Sequence, residues 1–132
     1  MKHLLLVDDD EDDRDFFLSV LDSIDSSLTC DTAENGSVAL QYLSQQHARP
    51  DVIFLDLNMP VMNGKQFLTE VKKRDGLKDI PVIVLSTSAD HSLISETGKL
   101  GAIDFITKPN KLSLLETRLR EILTNPPKKQ NV

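Results

Sequence analysis

Asp8 and Asp9 close the apolar run LLLV, and Asp56 closes VIFL. Ser86 and Thr87 follow VIVL, while Thr107 and Lys108, then Pro109, follow DFI. If these run ends meet, three carboxylates, a hydroxyl and an ammonium share one crevice. Carboxylates crowded at low dielectric repel strongly. Two remedies exist: raised pKa values or a bound cation. A hard divalent ion with oxygen ligands suits the donors, and Mg²⁺ takes one or two carboxylates, several waters and phosphate oxygens. One carboxylate is then left as a nucleophile toward phosphorus, which gives an acyl phosphate. Lys108 could offset charge on the transferring group, and Ser86 could donate a hydrogen bond to it. Each residue has a plainer reading alone. An Asp after a strand is usually a turn or cap residue, a lone Ser an N-cap or core hydroxyl, a lone Lys a solvated edge group. The chemical reading rests on coincidence: four separate run ends supply complementary groups.

For those ends to meet, the runs must lie side by side. Strands are expected at 3–7, 28–33, 52–55, 81–85 and 103–106, with the second the weakest. Between them, apolar residues recur at helical spacing: Phe16, Phe17, Val20, Leu21 and Ile24; Val38, Ala39, Tyr42 and Leu43; Phe67, Leu68 and Val71. Leu93 and Ile94 suggest a poorly patterned fourth helix, and Leu112, Leu115, Leu119, Ile122 and Leu123 a clean fifth. The dipeptides Asn35-Gly36 and Asn63-Gly64 signal turns before helices two and three. Five βα units imply a parallel sheet covered on both faces, and strands three and four are apolar throughout, as central parallel strands are. Right-handed crossovers leave few topologies. The flavodoxin-like order 2-1-3-4-5 is the common one, with ligands at the carboxyl ends of the strands. Strand two ends in nothing comparable, as suits an edge.

The chain of 132 residues is one ordinary domain. Its net charge of −6 argues against nucleic-acid binding. Asp10, Glu11, Asp12, Asp13 and Asp15 read as a solvated helix start, where acids are favourable. The single Cys30 excludes an internal disulfide framework. No apolar run approaches a membrane span, and MKHLLLVDDD lacks the length and cleavage site of a signal peptide. A cytoplasmic protein is expected, with a short disordered tail at 124–132 and no output domain after Leu123.

From about Lys2 to Leu123 the chain resembles the receiver domain of two-component response regulators, of the single-domain chemotaxis-regulator type. The resemblance is carried by LLLVDDD, DVIFLDLNMPVMNG, PVIVLSTSA and GAIDFITKP. It implies a receiver at 1–123 with Asp56 as phosphoacceptor and Mg²⁺ held by Asp8, Asp9, Asp56 and the Asn58 carbonyl, Asp8 mostly through water. It further implies Lys108 as the family's lysine, Ser86 and Phe105 as the switch pair, and a cis Lys108-Pro109 bond. Ser86 stands where Thr is commoner in the family, and Phe105 lacks the hydroxyl of a Tyr. Asn58 and Ser88 fall where the family tunes dephosphorylation. The implied partners are a sensor histidine kinase or phosphotransfer protein and a downstream protein. No DNA or membrane is expected, and the state is monomer or weak dimer. The chain would be no enzyme beyond its own phosphoryl transfer and autodephosphorylation. The stretch KKRDGLKDIP bears a slight resemblance to stand-alone receivers paired with phytochrome-type kinases. Three rival readings compete with this one. Haloacid-dehalogenase enzymes need a second Asp where Asn58 stands. A pseudo-receiver would bind without being phosphorylated. A flavodoxin-like electron carrier needs a phosphate-cradling loop where this chain has acids.

Overall fold

The computed structural model describes residues 3–45, 49–57, 59, 62–87, 90–107 and 112–124. Strands β1 (His3–Val7), β2 (Thr29–Ala33), β3 (Val52–Asp56), β4 (Val82–Ser86) and β5 (Asp104–Thr107) alternate with helices. These are α1 (Glu11–Ile24), α2 (Gly36–Ser44), α3 (Gly64–Lys73), α4 (His91–Lys99) and α5 (Leu112–Thr124). The strands form one parallel sheet in the order β2-β1-β3-β4-β5. This is the flavodoxin-like arrangement expected from the alternation. No helix among the described residues is long and apolar enough to cross a membrane.

Every residue of β3 and β4 is buried, as the uninterrupted apolar runs require of strands covered on both faces. Side chains alternate between two cores. Leu5, Val7, Ile53 and Leu55 meet Ala39, Leu40, Phe67, Leu68 and Val71 of α2 and α3. Leu4, Leu6, Val52 and Phe54 meet Phe17, Val20 and Leu21 of α1 and Leu119 and Ile122 of α5. The Phe17 and Phe54 rings lie 5.0 Å apart at 59°, a favourable tilted pairing.

Four strand boundaries differ from the expectation. β2 begins at Thr29, one residue late. β3 takes in Asp56 itself. β4 begins after Pro81, which has no N–H to give the ladder but whose carbonyl accepts from the Ile53 N–H at 2.9 Å. β5 is displaced by one residue, because Asp104 pairs with Ile83 and Thr107 with Ser86. α5 runs through Thr124, and residues 125–132 lie outside those described. Asn35 and Asn63, read as turn residues, act as N-caps. The Asn35 side chain accepts from the Val38 N–H at 2.9 Å. Asn63 and Gln66 form a reciprocal capping box at 3.0 and 2.9 Å.

Gly64 is required by a close approach. A Cβ there would lie 2.6 Å from the Asp56 carbonyl oxygen and 2.7 Å from Leu57 Cα. The start of α3 thus rests on the backbone at the end of β3, with the Gly64 N–H donating to the Leu57 carbonyl at 3.0 Å. At the opposite end of the sheet, the His3 ring nitrogens meet Thr29 Oγ1 at 2.9 Å and the Tyr42 hydroxyl at 2.8 Å. Tyr42 donates in turn to Asp31. Burial first, then the hydrogen bond to Asp31 and its negative charge, push the Tyr42 phenol up to about 12.

Gly64→Ala should lower stability by about 1–3 kcal/mol, since the contacting atoms are backbone. Gly98→Ala, where a Cβ meets nothing within 4 Å, should gain about 0.5 kcal/mol. Urea unfolding would compare the two. The chain has one Tyr and no Trp, so phenolate absorbance near 295 nm reads Tyr42 directly. Its midpoint should fall near 12 in the folded chain and near the ordinary value of about 10 in denaturant. The fold favours the neutral phenol. Its contribution is therefore full below about 10 and is lost as pH rises toward the folded value.

Candidate functional site

The β1–β3 pairing builds the site. Val7 is opposite Leu55, so the next residues, Asp8 and Asp56, emerge side by side at the carboxyl edge. Asp56 is the last residue of β3 and 6% exposed, and Asp8 is 2% exposed. Asp9 projects from the following turn and is exposed. One carboxylate oxygen from each of Asp8, Asp9 and Asp56 lies within 4.8 Å of the other two.

Asp8 is fixed by both neighbouring elements. Its N–H donates to the Ala33 carbonyl at the end of β2 at 3.0 Å. Its Oδ1 accepts from the Asp10 N–H at 3.0 Å, and its carbonyl accepts from Arg14 Nη1 at 2.8 Å. Asp10 then caps α1, its side chain accepting from the Asp13 N–H at 3.1 Å. Glu11, Asp12 and Asp13 fill the first turn, where the helix dipole favours acids. The reading of the acidic block as a helix start thus agrees with the structure.

Ser86 ends β4 and is 1% exposed. Asp56 pairs with Leu85, so Ser86 stands one step beyond Asp56 on the adjacent strand. Phe105 is half-buried against the core shared with α2 and α3 and pairs with Val84. Thr87 and Thr107 are exposed at the same edge. Asn58, Ser88, Lys108 and Pro109 lie outside the described residues. The structure therefore brings together the three acids singled out from the sequence and ends the next strand on Ser86. Sequence reasoning passed over Arg14 and Ala33. A lone cation among acids was a visible signal for the first, whereas a backbone carbonyl leaves none for the second.

The donor set is chemically selective. Among the described residues the donors are three carboxylates, with no sulfur or imidazole, and these suit a hard, oxygen-seeking cation such as Mg²⁺ or Mn²⁺ rather than a structural zinc. Burying two of the acids without a counter-charge would be costly. The residues present thus fit a divalent ion.

The fold and this acidic edge define a flavodoxin-like α/β module with its carboxylates at the carboxyl ends of the strands, and the chain belongs to the response regulator receiver domain family, whose model matches residues 4–120. Rcp1, a response regulator of Synechocystis sp., is 35% identical over 118 residues, covering 84% of this chain and 79% of that protein. The structure of Mn²⁺-bound Rcp1 matches with a TM-score of 0.77 and 31% identity, covering 95% of this chain and 94% of that one. That of the phosphorylated cyanobacterial phytochrome response regulator RcpA matches with a TM-score of 0.86 and 32% identity, covering 98% and 99%. A protein-glutamate methylesterase/protein-glutamine glutaminase of Treponema denticola is 43% identical over 109 residues, or 81% of this chain. The chain spans 28% of that protein, and similar shares of two further methylesterases, 34% and 26%. The acidic pocket is of the kind in which receiver domains bind Mg²⁺ or Mn²⁺.

Asp9→Asn should weaken Mg²⁺ binding by about tenfold or more, since it removes a charged oxygen ligand that a hard cation prefers. Calorimetric titration of the folded variant against wild type checks this. Equal affinities would remove Asp9 from the ligand set.

Proposed function

We propose that this chain is a stand-alone response regulator receiver, phosphorylated on Asp56 by a histidine kinase or phosphotransfer protein in the cytoplasm. The observation that carries the reading is the approach of the Asp8, Asp9 and Asp56 carboxylates to within 4.8 Å. Asp8, Asp9, Asp56 and the Asn58 carbonyl would hold Mg²⁺. Bound there, the ion offsets charge on phosphoryl oxygens.

An Asp56 carboxylate oxygen attacks phosphorus in line with the leaving group. The new O–P bond forms as the P–N bond of a phosphohistidine breaks, and the imidazole leaves with the electron pair. Lys108 offsets charge on the equatorial oxygens, and the buried Ser86 hydroxyl donates a hydrogen bond to one of them. The acyl phosphate carries nearly two negative charges where the carboxylate carried one. Ser86 draws the end of β4 inward, and Phe105 turns into the space this leaves. The two arrangements differ in their contacts to the phosphoryl group, which biases the equilibrium between them.

The altered face is that of α4, β5 and α5. The sparse anchoring of α4 supports this, since Thr97 is its one buried residue and an exposed ion pair, Lys65 to Glu96 at 3.0 Å, ties it to α3. Asn58, standing where a dehalogenase-type enzyme has its second acid, supports a signalling role over turnover of phosphate esters. The matched RcpA chain is that of a phytochrome response regulator. Its kind of partner, a phytochrome-type histidine kinase, is the first to test.

Incubation with acetyl phosphate and Mg²⁺ should add one phosphoryl group to the intact mass, labile to base. Asp56→Asn, or removal of Mg²⁺ with EDTA, should abolish the gain. Absence of any gain from a folded wild-type chain would favour a pseudo-receiver that binds without being phosphorylated.

A further inference from the structure

We infer that Arg14 is a positioning residue for the cation site: its guanidinium holds the Asp8 carbonyl and thereby the turn that presents Asp8 and Asp9. The inference rests on the divalent-cation reading proposed above and adds a residue to it.

Arg14 is the one basic residue from position 8 to position 15, a stretch that otherwise consists of seven acids. A charged residue on a solvated acidic helix face has no need to turn inward. Arg14 nevertheless is half-buried, and its Nη1 donates to the Asp8 backbone oxygen at 2.8 Å. That carbonyl belongs to the peptide joining Asp8 to Asp9. The peptide unit is rigid and planar, so fixing its oxygen fixes the direction in which the chain enters Asp9. The preceding peptide is fixed from the other side by the Asp8 N–H on the Ala33 carbonyl, at 3.0 Å. The turn is thus held between the end of β2 and the first turns of α1. The hold matters most for Asp9, which is exposed and so is not kept in place by burial. Its carboxylate stays within 4.8 Å of the other two only while the backbone beneath it keeps its course.

A guanidinium suits this task because its planar fork is always charged and loses little freedom per hydrogen bond. Its charge pulls the other way, since a cation beside the pocket repels a second cation. Positioning and plain electrostatics therefore predict opposite signs. Without Arg14, a positioning role weakens Mg²⁺ binding, whereas a role through charge alone strengthens it.

The test measures the Mg²⁺ dissociation constant of the full chain by isothermal titration calorimetry for wild type, Arg14→Gln, Arg14→Met and Arg120→Gln. Thermal unfolding of each in EDTA reports stability apart from the metal. Groups that orient metal ligands cost about tenfold in affinity at the low end when removed. Both Arg14 variants should therefore bind about tenfold more weakly, with Arg120→Gln, whose guanidinium pairs with Glu116 on its own helix α5, matching wild type. If neither Arg14 variant folds, Arg14→Lys, which keeps stem and charge without the fork, should still show weakened binding. Unchanged or tighter binding in folded Arg14 variants overturns the inference. So does a lower melting temperature in EDTA with an unaltered dissociation constant. A wild-type chain that binds no Mg²⁺ overturns the cation reading and this inference together.

Discussion

The parallel pairing of β1 with β3 is the constraint on which the molecule depends. It sets Asp8 beside Asp56 at the carboxyl edge, both nearly sealed from water, at a cost that a bound cation would offset. A one-residue slip would move every side chain of β3 to the opposite face of the sheet. It would carry Asp56 away from Asp8 and set Val52 and Phe54 against the wrong helices. Register is therefore secured by the two apolar cores, in which alternate residues of β1 and β3 each have a complementary helix pair. The same burial that holds the fold together holds the acids in contact.

Around that pairing, the backbone at the edge is tied down by polar contacts rather than by bulk. The Asp8 N–H reaches β2 and its carbonyl reaches Arg14. Behind Asp56, Gly64 admits the start of α3 to within backbone contact, and the Asn63–Gln66 box fixes where that helix begins. Helices α1, α2 and α3 each start at this edge from a side-chain cap, Asp10, Asn35 and Asn63 respectively. The site is thus built on element ends whose own hydrogen bonds are satisfied locally, which lets its charged oxygens face the crevice.

The anchoring is uneven. α3 buries Phe67, Leu68 and Val71, whereas α4 buries Thr97, whose hydroxyl turns back to carbonyls of its own helix at Leu93 and Ile94. Leu93 and Leu100 reach the core only in part. A helix with so little buried apolar area has a low free energy of local opening. The element nearest the end of β4 is thus also among the least firmly held, as a conformational response to events at Ser86 requires.

Much of this was legible beforehand. The apolar runs ending in Asp8, Asp56 and Ser86 announced strands, and the helical spacing of Phe17, Val20 and Leu21 or of Phe67, Leu68 and Val71 announced the faces that cover them. Such periodicities are local, and each residue reports its own burial. Alternation of these elements then left few topologies, and the observed order is the common one among them. The caps were half legible: Asn35 and Asn63 were recognised as breaks but not as acceptors for helix N–H groups, because the same residue types serve both purposes. Strand limits at Asp56 and Asp104 depended on partner strands, which a single run does not contain. What tertiary structure alone decided was contact between groups that no local periodicity pairs: the three acids within reach of one another, Gly64 against the Asp56 carbonyl, and Arg14 turned from solvent onto Asp8. Composition declares which groups are available. Their distances follow from register and packing, which are settled only when the whole sheet is assembled.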